Sequence, residues 1–87
     1  MITEFEEQLL EQIDNAVETA SDDELFAGGY LRGHISLSAA ACEAAGEDDI
    51  QELKARIELS LEAAKGELSP ADRAVVSALW NTLQQDL

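Results

Sequence analysis

Tyr30, Arg32 and His34 stand at alternate positions in the stretch Gly28-Gly29-Tyr30-Leu31-Arg32-Gly33-His34. On a helix the phenol and the imidazole lie one turn apart on the same side, and the guanidinium faces the opposite way. Two readings follow for Tyr30 and His34. Either they line a pocket in which hydroxyl and imidazole orient a polar group, or they form a packed pair whose polar ends find partners inside the protein. His34 is the chain's one histidine, and an exposed imidazole titrates near neutral pH. Arg32 either pairs with Asp22, Asp23 or Glu24 folded back from the preceding turn, or joins Gly28, Gly29, Gly33 and nearby helix-starting amides around a small anion. The glycine spacing fits neither a P-loop nor a dinucleotide fingerprint, and no strand precedes it.

Other chemistries are poorly supplied. Metal-assisted hydrolysis needs several histidines or carboxylates around one cavity, whereas Asp22, Asp23 and Glu24 offer at most a weak contact for a hard cation. Nucleophilic catalysis needs a serine or thiol beside a base that is itself oriented by an acid. Cys42, the single cysteine, falls on a different flank from His34, and alone it makes neither a disulfide nor a thiolate zinc cluster. The sequence therefore names no catalytic residue, no metal and no cofactor. Trp80 at the edge of an apolar stripe is either a lid on the core or an interface anchor. Exposed together with Leu59, it would mark a protein-binding surface.

Net charge narrows the partners. Among 87 residues, 19 are acidic and 5 basic, a formal charge of -14. Such a field repels phosphate backbones and anionic headgroups, so neither nucleic acid nor a membrane surface is an expected partner; it either steers a basic protein partner or is simply a solvated acidic surface. No apolar run reaches the roughly 18–20 residues needed to span a bilayer, and the opening MITEFEEQLLEQ lacks the basic and apolar regions of a signal peptide. The expected address is the cytoplasm.

The elements that must position these residues are all helical, in one domain spanning 1–87. A first helix is predicted over Thr3–Ala20, opened by a Thr3/Glu6 capping box, with Phe5, Leu9, Ile13, Ala16, Val17 and Ala20 on one face. Ser21 and Glu24 repeat the capping-box spacing. Gly28-Gly29 then either breaks the second helix or lets it pass with a kink. From Gly29 or Tyr30 to Ala45 the chain is small or apolar almost all round. The wheel puts Arg32, Ser36, Ala39 and Glu43 on the wet face, Gly29, Gly33, Ala40 and Ala44 on a ridge for close approach, Tyr30, His34, Leu37, Ala41 and Ala45 inward, and Leu31, Ile35, Ser38 and Cys42 on the remaining flank. Gly46 is the expected helix stop.

A third helix is predicted over Asp49–Lys65, with Asp48 as N-cap, a stripe of Ile50, Leu53, Ile57, Leu61 and Ala64, ion pairs Glu52–Arg56 and Lys54–Glu58, and Leu59 outside. Ser69 and Pro70 open a fourth, whose stripe is Val75, Val76, Leu79, Leu83 and Leu87. Short connections make consecutive helices antiparallel: an all-α four-helix bundle with a kinked or split second helix.

Two stretches, SDDELFAGGYLRGHISL at 21–37 and GELSPADRAVVSALW at 66–80, with the opening ITEFEEQLLEQID, resemble the YfcL-like family of small bacterial proteins over about two-thirds of the chain. The segment SDDELFA-x-GYLRGH is the specific part. The resemblance implies a small cytoplasmic helical protein and carries no catalytic residue onto this chain. The functional expectation is a non-enzymatic protein-interaction module, with acidic helix faces and the Tyr30–Arg32–His34 corner as its surface. The alternative is a small-ligand or anion site around Gly28–His34. Self-association through the small-residue ridge is also open to the chain.

Overall fold

In the computed structural model, which describes residues 2–85, four helices pack around a single buried cluster. They are α1 (Ile2–Asn15), α2 (Asp22–Ala44), α3 (Ile50–Ala64) and α4 (Pro70–Gln85), with short 3₁₀ turns at Val17–Thr19 and Lys65–Glu67. The expected all-α bundle is thus the observed one, and α2 is its spine, packing against α1, α3 and α4 in turn.

Local chemistry explains where α2 begins and ends. The Ser21 side chain accepts from the Glu24 amide at 3.2 Å, and the Ser21 amide donates to the Glu24 carboxylate at 2.9 Å. This capping box satisfies donors that the first turn leaves without partners. At the other end Gly46 takes a φ of +72°. Its amide donates to the Glu43 carbonyl, and the Glu47 amide donates to that of Cys42, a Schellman stop that needs a glycine at the left-handed position. Between these ends the helix runs unbroken for 23 residues, so of the two sequence readings of Gly28-Gly29 the chain takes passage rather than a break. The small residue matters at Gly28, where an added Cβ would sit 3.1 Å from Ile13 Cγ2; α1 crosses α2 close to this point.

The rotation of α2 differs from the wheel. Its buried residues are Ala27, Gly28, Leu31, Ile35, Ser38, Ala39 and Cys42. The flank of Leu31, Ile35, Ser38 and Cys42 is therefore the core face, and Ala39, expected wet, joins it. Leu37, Ala41 and Ala45 face outward, and the ridge of Gly29, Gly33, Ala40 and Ala44 is exposed rather than pressed against a neighbour. A helix apolar on every side carries little directional preference. The face that meets the buried side chains of the other helices goes in, at about 1.5–3 kcal/mol for each large side chain fully buried.

Smaller differences sit at the ends. α1 starts at Ile2 and stops at Asn15, so Thr3 lies inside it and donates to Glu43 at 3.0 Å rather than capping. Asn15, Val17 and Thr19 are weak helix formers, and Val17 is exposed. Asp49 caps α3 in place of Asp48, accepting from the Gln51 amide at 2.9 Å. The Glu52–Arg56 pair forms at 3.0 Å. Lys54 instead lies over the Phe5 ring, 5.6 Å from its centroid, leaving Glu58 to Trp80. Ser69 caps α4 through the Asp72 amide at 3.2 Å. Val76, Trp80 and Leu83 are its buried residues, and Leu87 lies outside the described residues.

Candidate functional site

The unbroken α2 separates the three residues that the sequence grouped as a corner. Arg32 projects toward α1, where its Nη2 donates to Asp14 Oδ2 at 3.2 Å with both side chains substantially exposed. Asp22, Asp23 and Glu24 do not fold back to it. They occupy the first turn of the same helix, and a continuous helix carries Glu24 about 12 Å along the axis from Arg32. Their work there is local: negative charge at the positive end of the helix dipole. Hydrogen bonds from the Ser21 backbone and hydroxyl hold the Glu24 carboxyl below its ordinary range. The amides of Gly28, Gly29 and Gly33 lie inside α2 and are committed to carbonyls one turn back. The groove that Gly28, Gly29 and Arg32 line, about 200 Å³, is also lined by Asp14 and Glu24, so two carboxylates border the space proposed for an anion.

Tyr30 and His34 descend the other side of α2. The ring centroids of Phe26 and Tyr30 are 5.9 Å apart, and those of Tyr30 and His34 are 4.6 Å apart, distances at which aromatic rings attract beyond their area burial. His34 Nδ1 meets Ser60 Oγ of α3 at 2.6 Å. Sequence reasoning did not single out Ser60, and nothing in the chain marks a serine 26 positions away as the partner of His34. A serine bonded to an imidazole is one half of a nucleophilic site. The other half is a group orienting the second ring nitrogen and donors for an oxyanion. Among the described residues no carboxylate bonds His34, and the backbone around Ser60 lies within α3. The contact ties α2 to α3.

Tyr30 is the unusual member. Its hydroxyl oxygen is buried and has no hydrogen-bond partner among the described residues. Burial first, and the Glu67 carboxylate second, push its pKa above the ordinary value, so at neutral pH it stays protonated and remains a donor. It lines a cleft of about 330 Å³ together with Trp80, Arg73 and side chains of α3. The indole Nε1 donates to Glu58 Oε2 at 3.4 Å, and Trp80, only 5% exposed, is a wall of the cleft rather than a surface anchor. Arg73, in the first turns of α4, was not singled out from the sequence.

Leu59 is 70% exposed, and its companion is Leu37 at 72%, not Trp80. The two leucines line a shallow concavity between α2 and α3 with Ser38, Ala41, Arg56 and Ser60. Cys42 is buried and free, its thiol pushed up chiefly by burial. Among the described residues no three His, Cys, Asp or Glu side chains converge to hold a metal ion, and no helix is long and apolar enough to cross a membrane.

The profile of the YfcL protein family matches residues 3–85. The chain belongs to the YfcL family. All four helices of this YfcL chain fall essentially within that match, so the Tyr30 cleft and the Leu37–Leu59 face are both parts of the family's domain. The chain is also 48% identical, over 98% of its own length and 95% of the relative's, to a protein of Escherichia coli strain K12 described as "Uncharacterized protein YfcL". No solved structure matches.

Proposed function

We propose that this YfcL-family chain is a non-enzymatic interaction module of the cytoplasm that holds a protein partner on the face where α2 and α3 lie side by side. The observation that carries the reading is the pair Leu37 and Leu59, 72% and 70% exposed over one concavity. Single exposed leucines are ordinary, whereas two on the same hollow form a discrete apolar spot, with Arg56 as the charged side chain lining it, on a chain of net charge -14. A complementary partner presents apolar side chains and a net positive charge, and the long-range field speeds its approach. A second reading, small-ligand binding, draws support from the cleft at Tyr30.

The reading is tested with a helical leucine–lysine peptide as probe against the wild type and a Leu37→Ser/Leu59→Ser variant of equal charge. Loss of two apolar contacts, each contributing up to about 1.5–3 kcal/mol, weakens binding at least about tenfold if the face is used. Equal affinity for both proteins would mean attraction by charge alone and would end the proposal. Sedimentation of the wild type addresses a second copy as partner, which the charge of -14 on each chain opposes.

A further inference from the structure

The cleft over Tyr30 holds two polar groups that the protein itself leaves unanswered. The Tyr30 hydroxyl is buried without an acceptor among the described residues. Arg73 is the one cation of five with neither an ion pair nor a ring contact to a described residue: Arg32 pairs with Asp14, Arg56 with Glu52, Lys65 with Glu62, and Lys54 sits on Phe5. Both line the same space of about 330 Å³, within the range of small-molecule sites. Its walls are largely apolar, from Leu61, Leu68, Val76 and the Trp80 ring.

Charge opposes an anion here less than over the chain as a whole, although the Glu67 carboxylate acts on the Tyr30 hydroxyl. The ionic side chains lining the cleft are Lys65, Arg73, Glu58 and Glu62, two of each sign, against -14 for the whole chain. Glu62 pairs with Lys65 and Glu58 accepts the Trp80 indole N–H; both carboxylates keep their charge, and among the described residues neither makes an ion pair with Arg73. A guanidinium fork and a hydroxyl donor beside apolar walls match a carboxylate carried on an apolar body. We propose that this cleft binds a small carboxylic acid, its carboxylate received by Arg73 and the Tyr30 hydroxyl and its apolar portion laid against Trp80, Leu61 and Val76. The site shares no residue with the Leu37–Leu59 face, and it stands whether or not that face binds a protein.

Trp80 is the chain's one tryptophan, so its fluorescence reads the cleft directly. The probes are phenylacetate, hydrocinnamate and octanoate, each titrated to about 10 mM to cover the roughly millimolar affinity of a small ligand, with hydrocinnamyl alcohol as the uncharged counterpart. The expected result is a saturable change with at least one acid, at least about tenfold weaker for the alcohol and for Arg73→Gln, and about threefold or more weaker for Tyr30→Phe. Arg73 is exposed and makes no ion pair with a described residue, so its variant keeps the fold, which circular dichroism verifies. Amide shifts in heteronuclear NMR should concentrate at Leu61, Leu68 and Val76. Failure of every acid to saturate, an equal response to the alcohol, an unchanged affinity in Arg73→Gln, or shifts centred away from the cleft would each overturn the proposal.

Discussion

Tyr30→Phe should stabilise this protein, the reverse of the usual outcome for removing a buried tyrosine hydroxyl. In most proteins that hydroxyl has a partner, and its loss costs about 1 kcal/mol. Here it is buried with no hydrogen-bond partner among the described residues, so folding strips it of water without a return, a penalty of about 1–3 kcal/mol. Phenylalanine keeps the ring between Phe26 and His34, whose centroids lie 5.9 and 4.6 Å away. The vacated oxygen leaves at most about 15 Å³, which at ~24 cal/mol per Å³ is worth about 0.4 kcal/mol. The net gain is therefore about 1–2 kcal/mol, and each 1 kcal/mol raises the melting temperature of a domain this size by about 4–8 °C.

Urea and thermal unfolding followed by circular dichroism measure the gain directly. The pH dependence supplies an independent check with a defined sign. The folded-state pKa of Tyr30 is raised, so the folded form holds the phenolic proton more tightly than the unfolded chain does. Wild-type stability is full below the unfolded value near 10 and falls as pH rises beyond it. The phenylalanine variant lacks that contribution, and its advantage should widen in alkali. A variant destabilised by about 1 kcal/mol at neutral pH would mean that the hydroxyl had a partner after all, and the reasoning about both the penalty and the cleft would fall with it.

The glycines of α2 offer a graded series. Gly29→Ala and Gly33→Ala, where an added Cβ meets nothing within 4 Å, should each stabilise by about 0.5–1 kcal/mol in urea unfolding, while Gly28→Ala, whose Cβ would lie 3.1 Å from Ile13 Cγ2, should gain less or lose. Cys42, buried and with its thiol pushed up, should react with an aromatic disulfide reagent only at the rate of unfolding, giving one equivalent in denaturant and a small fraction of that rate without it. Ser21→Ala should lower stability by about 1 kcal/mol at neutral pH. Because the Ser21 hydrogen bonds hold the Glu24 carboxyl below the ordinary value of 4.5 in the folded state, its contribution is present above that value and lost as pH falls through the folded one, so Glu24→Gln should flatten the acid limb of the stability curve.

Features written in adjacent residues were legible in the sequence. The Ser21/Glu24 box, the Gly46 stop and the Ser69-Pro70 start are chemistry within a few positions, and each is where the chain alone puts it. The rotation of α2 was not. With small and apolar residues on every side, the choice between the Leu37 face and the Leu31–Ile35–Cys42 face rests on volumes supplied by other helices, among them Ile13 at Gly28 and the fully buried Leu53 and Ile57. The candidate site divided in the same way. The pairing of Tyr30 with His34 follows from helical spacing, whereas Ser60, Asp14 and Arg73 enter from other helices at separations that no local pattern encodes.

That failure of the wheel is itself informative about the surface. From Leu25 to Cys42, α2 carries no carboxylate, although the chain as a whole has 19 acidic residues. Enclosing the helix on all sides would explain a sequence so poor in charge, yet only one side is enclosed; Phe26 is 43% exposed and Leu37 72%. Solubility alone would have favoured charge at those outward positions, as it does along α1, where Glu7 and Glu11 face solvent. Carboxylates there would have to be desolvated or paired as a partner closed over them, at a penalty of several kcal/mol per unpaired ion. An outward face kept free of them can be covered without that penalty. Under the proposed function, the acid on the neighbouring helices would supply attraction at a distance and the α2–α3 hollow the contact.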